Sequence, residues 1–218
     1  MRHSRILVAA ALAGALATSA VLAQGSGTKR VRITYQNLTS GQAFSPSVFM
    51  SHNGSAPELF GMGAKPSPGL ARLAEDGNVA PIADMAGKMM GRAVGTSDIG
   101  LPTMPGGTGM VELTVDRDHP MVSGAWMLSM TNDGFTGIKS VNAYAMRGPQ
   151  TIDIMAHDAG SEKNNERRAY LVALMGIARD PDAGVVTRHR GIRGGADAPD
   201  AWKFDPSRPV ARVTITPL

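Results

Sequence analysis

Arg30-Val-Arg-Ile-Thr-Tyr-Gln-Asn37 places apolar Val31, Ile33 and Tyr35 at every second position between polar neighbours, which is the period of a half-buried strand. Near the far end, Pro209-Val-Ala-Arg-Val-Thr-Ile-Thr216 repeats that period and is equally rich in Val and Thr. Both ends of the folded region are therefore expected to be fastened as strands. In a two-sheet fold they would lie close together, which protects a chain from fraying and proteolysis.

Working inward, Ser47-Val-Phe-Met50, Gly109-Met-Val-Glu-Leu-Thr-Val115, Ala125-Trp-Met-Leu-Ser-Met130, Gly137 to Tyr144 and Thr151-Ile-Asp-Ile-Met-Ala156 read as further strands. Ser67-Pro-Gly-Leu-Ala-Arg-Leu-Ala-Glu-Asp76 carries helical spacing, with Ser67 as N-cap, Pro68 in the first turn and Gly77 as the stop. Pro81 opens a second short helix within Val79 to Met90. Gly91 to Thr108 reads as a long loop interrupted by one irregular strand, and Leu171 to Ile177 as a strand or a buried helical turn. About seven or eight strands with turn signals between them predict an all-β fold, an antiparallel β-sandwich with one or two short helices packed at an edge or end. Met110, Met130 and Met155 are expected in its core, where Met fills irregular gaps.

Residues 1 to 23 have a basic start at Arg2 and Arg5, a small-apolar run from Ile6 to Ala17, and Val21-Leu-Ala23 before Gln24. That is the pattern of a cleaved secretory signal peptide, too short for a bilayer-spanning anchor. Gln24 to Thr28 then reads as a flexible leader, and 29–218 as one domain of ample size to build its own core. The expected location is periplasmic or extracellular. Cys is absent, so thiol chemistry is excluded and packing must hold the fold without disulfides.

The formal charge is +4, and losing Arg2 and Arg5 with the leader brings it to about +2, too little to argue for nucleic acid. Arg188, Arg190 and Arg193 with His189 form the one basic excess, read as a solvated loop. His52, His157 and His189 are expected on the surface as binding residues. No Gly-x-Ser-x-Gly or His-Glu-x-x-His motif is present. The fourteen Met residues lack the His-rich tract that a copper reading would need.

Two acidic turns carry the chemistry. Asp133 lies in Thr131-Asn-Asp-Gly134, and Asp158 and Glu162 frame the turn at Gly160, with Asn164, Asn165 and Glu166 close behind. Hard cations take six to eight oxygens at about 2.3–2.6 Å from carboxylates and carbonyls in flexible loops. If the adjoining strands share one sheet or sandwich, Asp133, Asp158 and Glu162 converge at its rim as candidate calcium ligands. The competing reading gives the same carboxylates acid or base work in an envelope-acting hydrolase, and a third is a structural envelope protein.

Val31-Arg-Ile-Thr-Tyr-Gln-Asn37, Phe44-Ser-Pro46, His52 with Leu59-Phe60, and Gly69 to Gly77 resemble the spondin N-terminal domain family in its free-standing bacterial secreted form. Asn132-Asp-Gly-Phe-Thr-Gly137, Asp158-Ala-Gly-Ser-Glu162 and Pro209 to Ile215 extend the resemblance over nearly all of the exported chain. The resemblance implies a sandwich similar to C2 domains, with calcium at loops on one end held by Asp133, Asp158 and Glu162. It also implies adhesion to an extracellular or envelope protein or polysaccharide by a monomeric, non-enzymatic module. The sequence departs from the animal pattern at Gly134, which separates the Asp from its aromatic, and at Glu162, where Asp is usual.

Overall fold

The structure, a computed structural model, describes residues 27–194 and 196–218. The signal-peptide reading of 1–23 lies outside the described residues. Strand β1 (Lys29–Asn37) lies between β4 (Thr108–Val115) and β10 (Ala211–Pro217), and β7 (Gln150–Ile154) completes a four-stranded antiparallel sheet in the order β4-β1-β10-β7. The second sheet has six strands: β3 (Val94–Gly100), β2 (Ser47–His52), β5 (Met121–Met127), β6 (Gly134–Asn142), β8 (His157–Asp158) and β9 (Thr187–Arg188), in that spatial order. The first and last strands pair directly, Ile33 opposite Ile215, so the alternation read at both ends becomes one inward-facing row.

That row meets Phe44, Phe49 and Trp126 from the other side. Trp126 is fully buried, with ring centroids 5.1 Å from Tyr35, 5.6 Å from Phe49 and 5.8 Å from Phe44. These tilted contacts add to a large apolar burial. Tyr35 satisfies its hydroxyl by donating to the Leu101 carbonyl at 3.0 Å. Gly124 lets β5 approach Phe49, since a Cβ there would lie 2.1 Å from the Phe49 ring. No helix among the described residues is long and apolar enough to cross a membrane.

Helix α1 (Pro68–Asp76) begins as its sequence requires: Ser67 Oγ accepts the Leu70 N–H at 3.1 Å and Pro68 occupies the first turn. Helix α2 (Ala80–Lys88) follows after a short turn. The two do not sit at an edge or end, as expected, but cover the outer face of the six-stranded sheet. Leu70, Leu73, Ala74, Ile82 and Ala86 pack on Val48, Met50, Ala125 and Phe135. The reason lies in β2 and β5, which are buried on both faces: Phe49 and Trp126 point into the sandwich while Val48, Met50 and Ala125 point to the helices. A strand apolar on both sides must be covered on both. The fold is thus two packed sheets with a helical layer outside one of them, rather than all-β.

Other expectations fail locally. Met110 is 54% exposed, because Val111 takes the inward position of β4. Met130 and Met155 are only half-buried, and the methionines in the core are Met50 and Met127. Leu171 to Ile177 forms neither a strand nor a buried helical turn. Two 3-10 turns, Arg168–Tyr170 and Val172–Leu174, leave Leu171 buried but Met175 and Ile177 88% and 93% exposed. Leu171 joins Ile192 and Ala198 in a small satellite core beneath this loop region.

Replacing Leu73 by Ala removes a fully buried side chain from the helix–sheet layer. Urea denaturation is expected to show a loss of about 2–5 kcal/mol, whereas a helix merely resting on an edge would lose far less.

Candidate functional site

Asp133 precedes β6 in a turn closed by Thr131, whose Oγ1 accepts the Gly134 N–H at 2.8 Å and donates to the Leu128 carbonyl at 2.7 Å. Strand β8 pairs here, with Gly134 opposite Asp158, and the Asp133 carbonyl accepts the Ala159 N–H at 3.1 Å. The chain then turns at Gly160, where φ is +69° and a Cβ would lie 2.7 Å from the Val185 backbone. Both constraints favour glycine. The turn brings Ser161 and Glu162 back over Asp133, so the two acidic turns do meet.

Asp133 is fully buried. Its Oδ2 accepts from the Ser161 N–H at 2.8 Å, the Glu162 N–H at 2.9 Å and the Ser161 hydroxyl at 3.2 Å, while its Oδ1 is buried with no hydrogen-bond partner. Burial pushes its carboxyl up to about 7, the Asp158 charge adds to the rise, and the Glu162 and Ser161 donors oppose it. Glu162 is equally enclosed, and neither of its carboxylate oxygens accepts a hydrogen bond. Among the described residues its cationic contact is Arg179 Nη1, 3.5 Å from Oε1. Burial raises its carboxyl to about 7, Arg179 opposes the rise, and the charges of Glu75, Asp133 and Asp76 reinforce it.

Asp158 stands beside them with both oxygens engaged: Oδ1 accepts the Gly160 N–H at 2.7 Å and Oδ2 the Asn164 side-chain amide. It also lines an open polar cavity of about 410 Å³, along with Glu166, Asp182, His189 and Arg193. Asp133 and Glu162 do not line it. The carboxylates that border that cavity are Asp158, Glu166 and Asp182, so of the three acids singled out in the sequence only Asp158 could do acid or base work in it.

Glu166, expected as a spare oxygen donor, is a structural clamp. It is buried and accepts the Arg193 and Gly194 N–H groups at 2.6 and 2.7 Å. His189 and His52 are buried rather than exposed. The Gly191 N–H donates to His189 Nδ1 at 3.0 Å, which puts the proton of the neutral ring on Nε2. Burial holds His189 below the usual imidazole range, opposed by Asp158 and Glu166. His52 bonds Ser123 Oγ at 2.8 Å and the Asn53 carbonyl at 2.9 Å. His157 is half-buried between Phe60 and Phe135, and burial lowers its pKa.

Sequence reasoning missed Glu75, Asp76 and Arg179. Glu75 and Asp76 end α1, and Arg179 contacts both of them and Glu162. The available signal was two acids in the last turn of a helix, where the macrodipole disfavours negative charge.

Among the described residues no group of three or more His, Asp or Glu side chains is arranged to hold a metal ion. The donor chemistry nevertheless suits a hard cation: Asp133 Oδ1 and both Glu162 oxygens are buried, anionic at neutral pH in part, and without hydrogen-bond partners. No family model matches the chain, and no curated protein matches it.

Raised carboxyls make the folded chain hold protons that the unfolded chain has released. Stability therefore falls as pH rises from the ordinary carboxylate range, about 4, through about 7, the raised value of Asp133 and Glu162. With a chelator present, the thermal midpoint is expected to be higher at pH 5 than at pH 7.5, and Asp133→Asn is expected to flatten that slope.

Proposed function

We propose that the chain is a spondin-like exported module, a calcium-binding β-sandwich similar to C2 domains that adheres at the cell envelope rather than catalysing a reaction. The observation that carries the reading is the set of three buried carboxylate oxygens on Asp133 and Glu162 that no donor satisfies. Burying a carboxylate without partners is costly, and a divalent ion relieves that cost. Asp133 and Glu162 would supply the direct ligands, and Asp158, whose charge acts on Asp133, would be the third carboxylate of the site. The apolar, small-residue pattern of residues 1 to 23 supports export to the periplasm or beyond.

Adhesion is the part of the reading that rests on resemblance and on the placement of the acidic turns in loops. The partner class is an envelope or extracellular protein or polysaccharide, engaged by a monomer. An ion at the rim would stiffen the segment from Asp158 to Arg193, which borders the polar cavity, and so present one surface to that partner.

Thermal unfolding in calcium and in chelator tests the ion. Calcium at a hundredfold excess over its dissociation constant stabilises by about 2.7 kcal/mol, which for a chain of this size raises the midpoint by about 5–10 °C. Asp133→Asn and Glu162→Gln should each abolish the calcium-dependent rise. Equal midpoints in calcium and chelator for the unsubstituted chain would overturn the reading.

A further inference from the structure

Four carboxylates gather where the end of α1 meets the Gly160 turn. Glu75 and Asp76 come from the helix, Glu162 from the turn, and Asp133 from beneath it. Two guanidinium groups face them. Arg72 pairs with Asp76 at 2.7 Å along its own helix, half exposed. Arg179 reaches in from the chain that follows the 3-10 turns, with Nε 3.5 Å from Glu75, Nη1 3.5 Å from Glu162 and Nη2 on Asp76. Lys163, next to Glu162 in sequence, turns away to Asp180 at 2.7 Å.

Four carboxylates thus face two guanidinium groups, so acid outnumbers base in the cluster. Acidic residues alone would prove nothing. Here the Glu162 side chain is 1% exposed, directed at Arg179, and has neither oxygen hydrogen-bonded. Arg179 is itself one-third exposed, so its guanidinium has an open path to solvent. Its neighbour Ala178 donates to the Ala169 carbonyl at 2.9 Å, which holds the backbone from which the long Arg179 side chain extends.

The geometry points to Arg179 as a built-in competitor of the divalent cation, neutralising Glu75, Asp76 and Glu162 in the ion's place and setting how tightly the ion is held. This rests on the calcium reading above. A guanidinium within a few ångströms of a doubly charged ion repels it strongly where water is scarce. It also keeps the four carboxylates from repelling one another when calcium is low. Arg179 therefore sets the concentration at which the site fills.

The test is calcium titration by calorimetry at about 0.1 M ionic strength, where distant surface charges are screened. Arg179→Gln is expected to bind calcium at least roughly tenfold more tightly than the unsubstituted chain. Lys163→Gln, which removes an equal charge pointed elsewhere, is expected to change affinity less than about twofold. Unchanged or weaker binding by Arg179→Gln overturns the inference, even if the unsubstituted chain binds calcium well. If only Arg179→Gln binds, the inference stands and the calcium reading of the unsubstituted chain fails. If neither binds, both fail. Should Arg179→Gln not fold, the Arg179 Nε–H resonance of the unsubstituted chain provides the second measurement. It is expected to shift as calcium is added, and a resonance that stays fixed through saturation overturns the inference.

Discussion

The Asp133 carboxylate takes hydrogen bonds from the backbone of Ser161 and Glu162, and everything on the functional side of the molecule is organised by that grip. It adds to the β8 pairings and to the backbone bonds that tie Gly160, Ser161 and Lys163 to Gly184, Asp182 and Asp180. With it, Glu162 is carried under cover and faces the end of α1. The cost is plain, since one oxygen of Asp133 is satisfied by three donors and the other by none. A packed interior tolerates such imbalance only where something else is gained.

The neighbouring carboxylates are satisfied differently. Glu166 is nearly as buried as Glu162, yet both its oxygens receive backbone N–H groups, and its role ends at holding the loop before the last strand. Asp158 likewise has a donor for each oxygen. The contrast is between carboxylates used as anchors, which are fully paired, and a pair left short of donors. Asp133 and Glu162 are both raised to about 7, and both owe it first to burial.

Much of this arrangement was legible in the sequence. The alternation in β1 and β10 and the Ser67-Pro68 start of α1 follow from local pattern, because period and capping are short-range properties, whereas the meeting of the two acidic turns was conditional on how their strands are placed. What was hidden depends on the far side of an element. The run Val48-Phe-Met50 reads as a strand but does not say that helices cover it, although three consecutive apolar residues were themselves a sign of burial on both faces. His52 is beside Asn53 and Gly54 in sequence, which suggests a surface turn; its burial comes from Ser123 on a neighbouring strand. Arg179 lies far from Glu75 in the chain, and no period connects them.

The pairing of β1 with β10 places the earliest and latest strands of the fold side by side at the centre of one sheet, with β4 and β7 outside them. Such a sheet cannot be assembled vectorially as the polypeptide leaves the ribosome. β1 can pair with β4 once residues 108–115 are made, but its other edge, and the partner of β7 in this sheet, come only with residues 211–217. Contacts of such large sequence separation are closed late and slowly, so β7 joins this sheet only once β10 has been made.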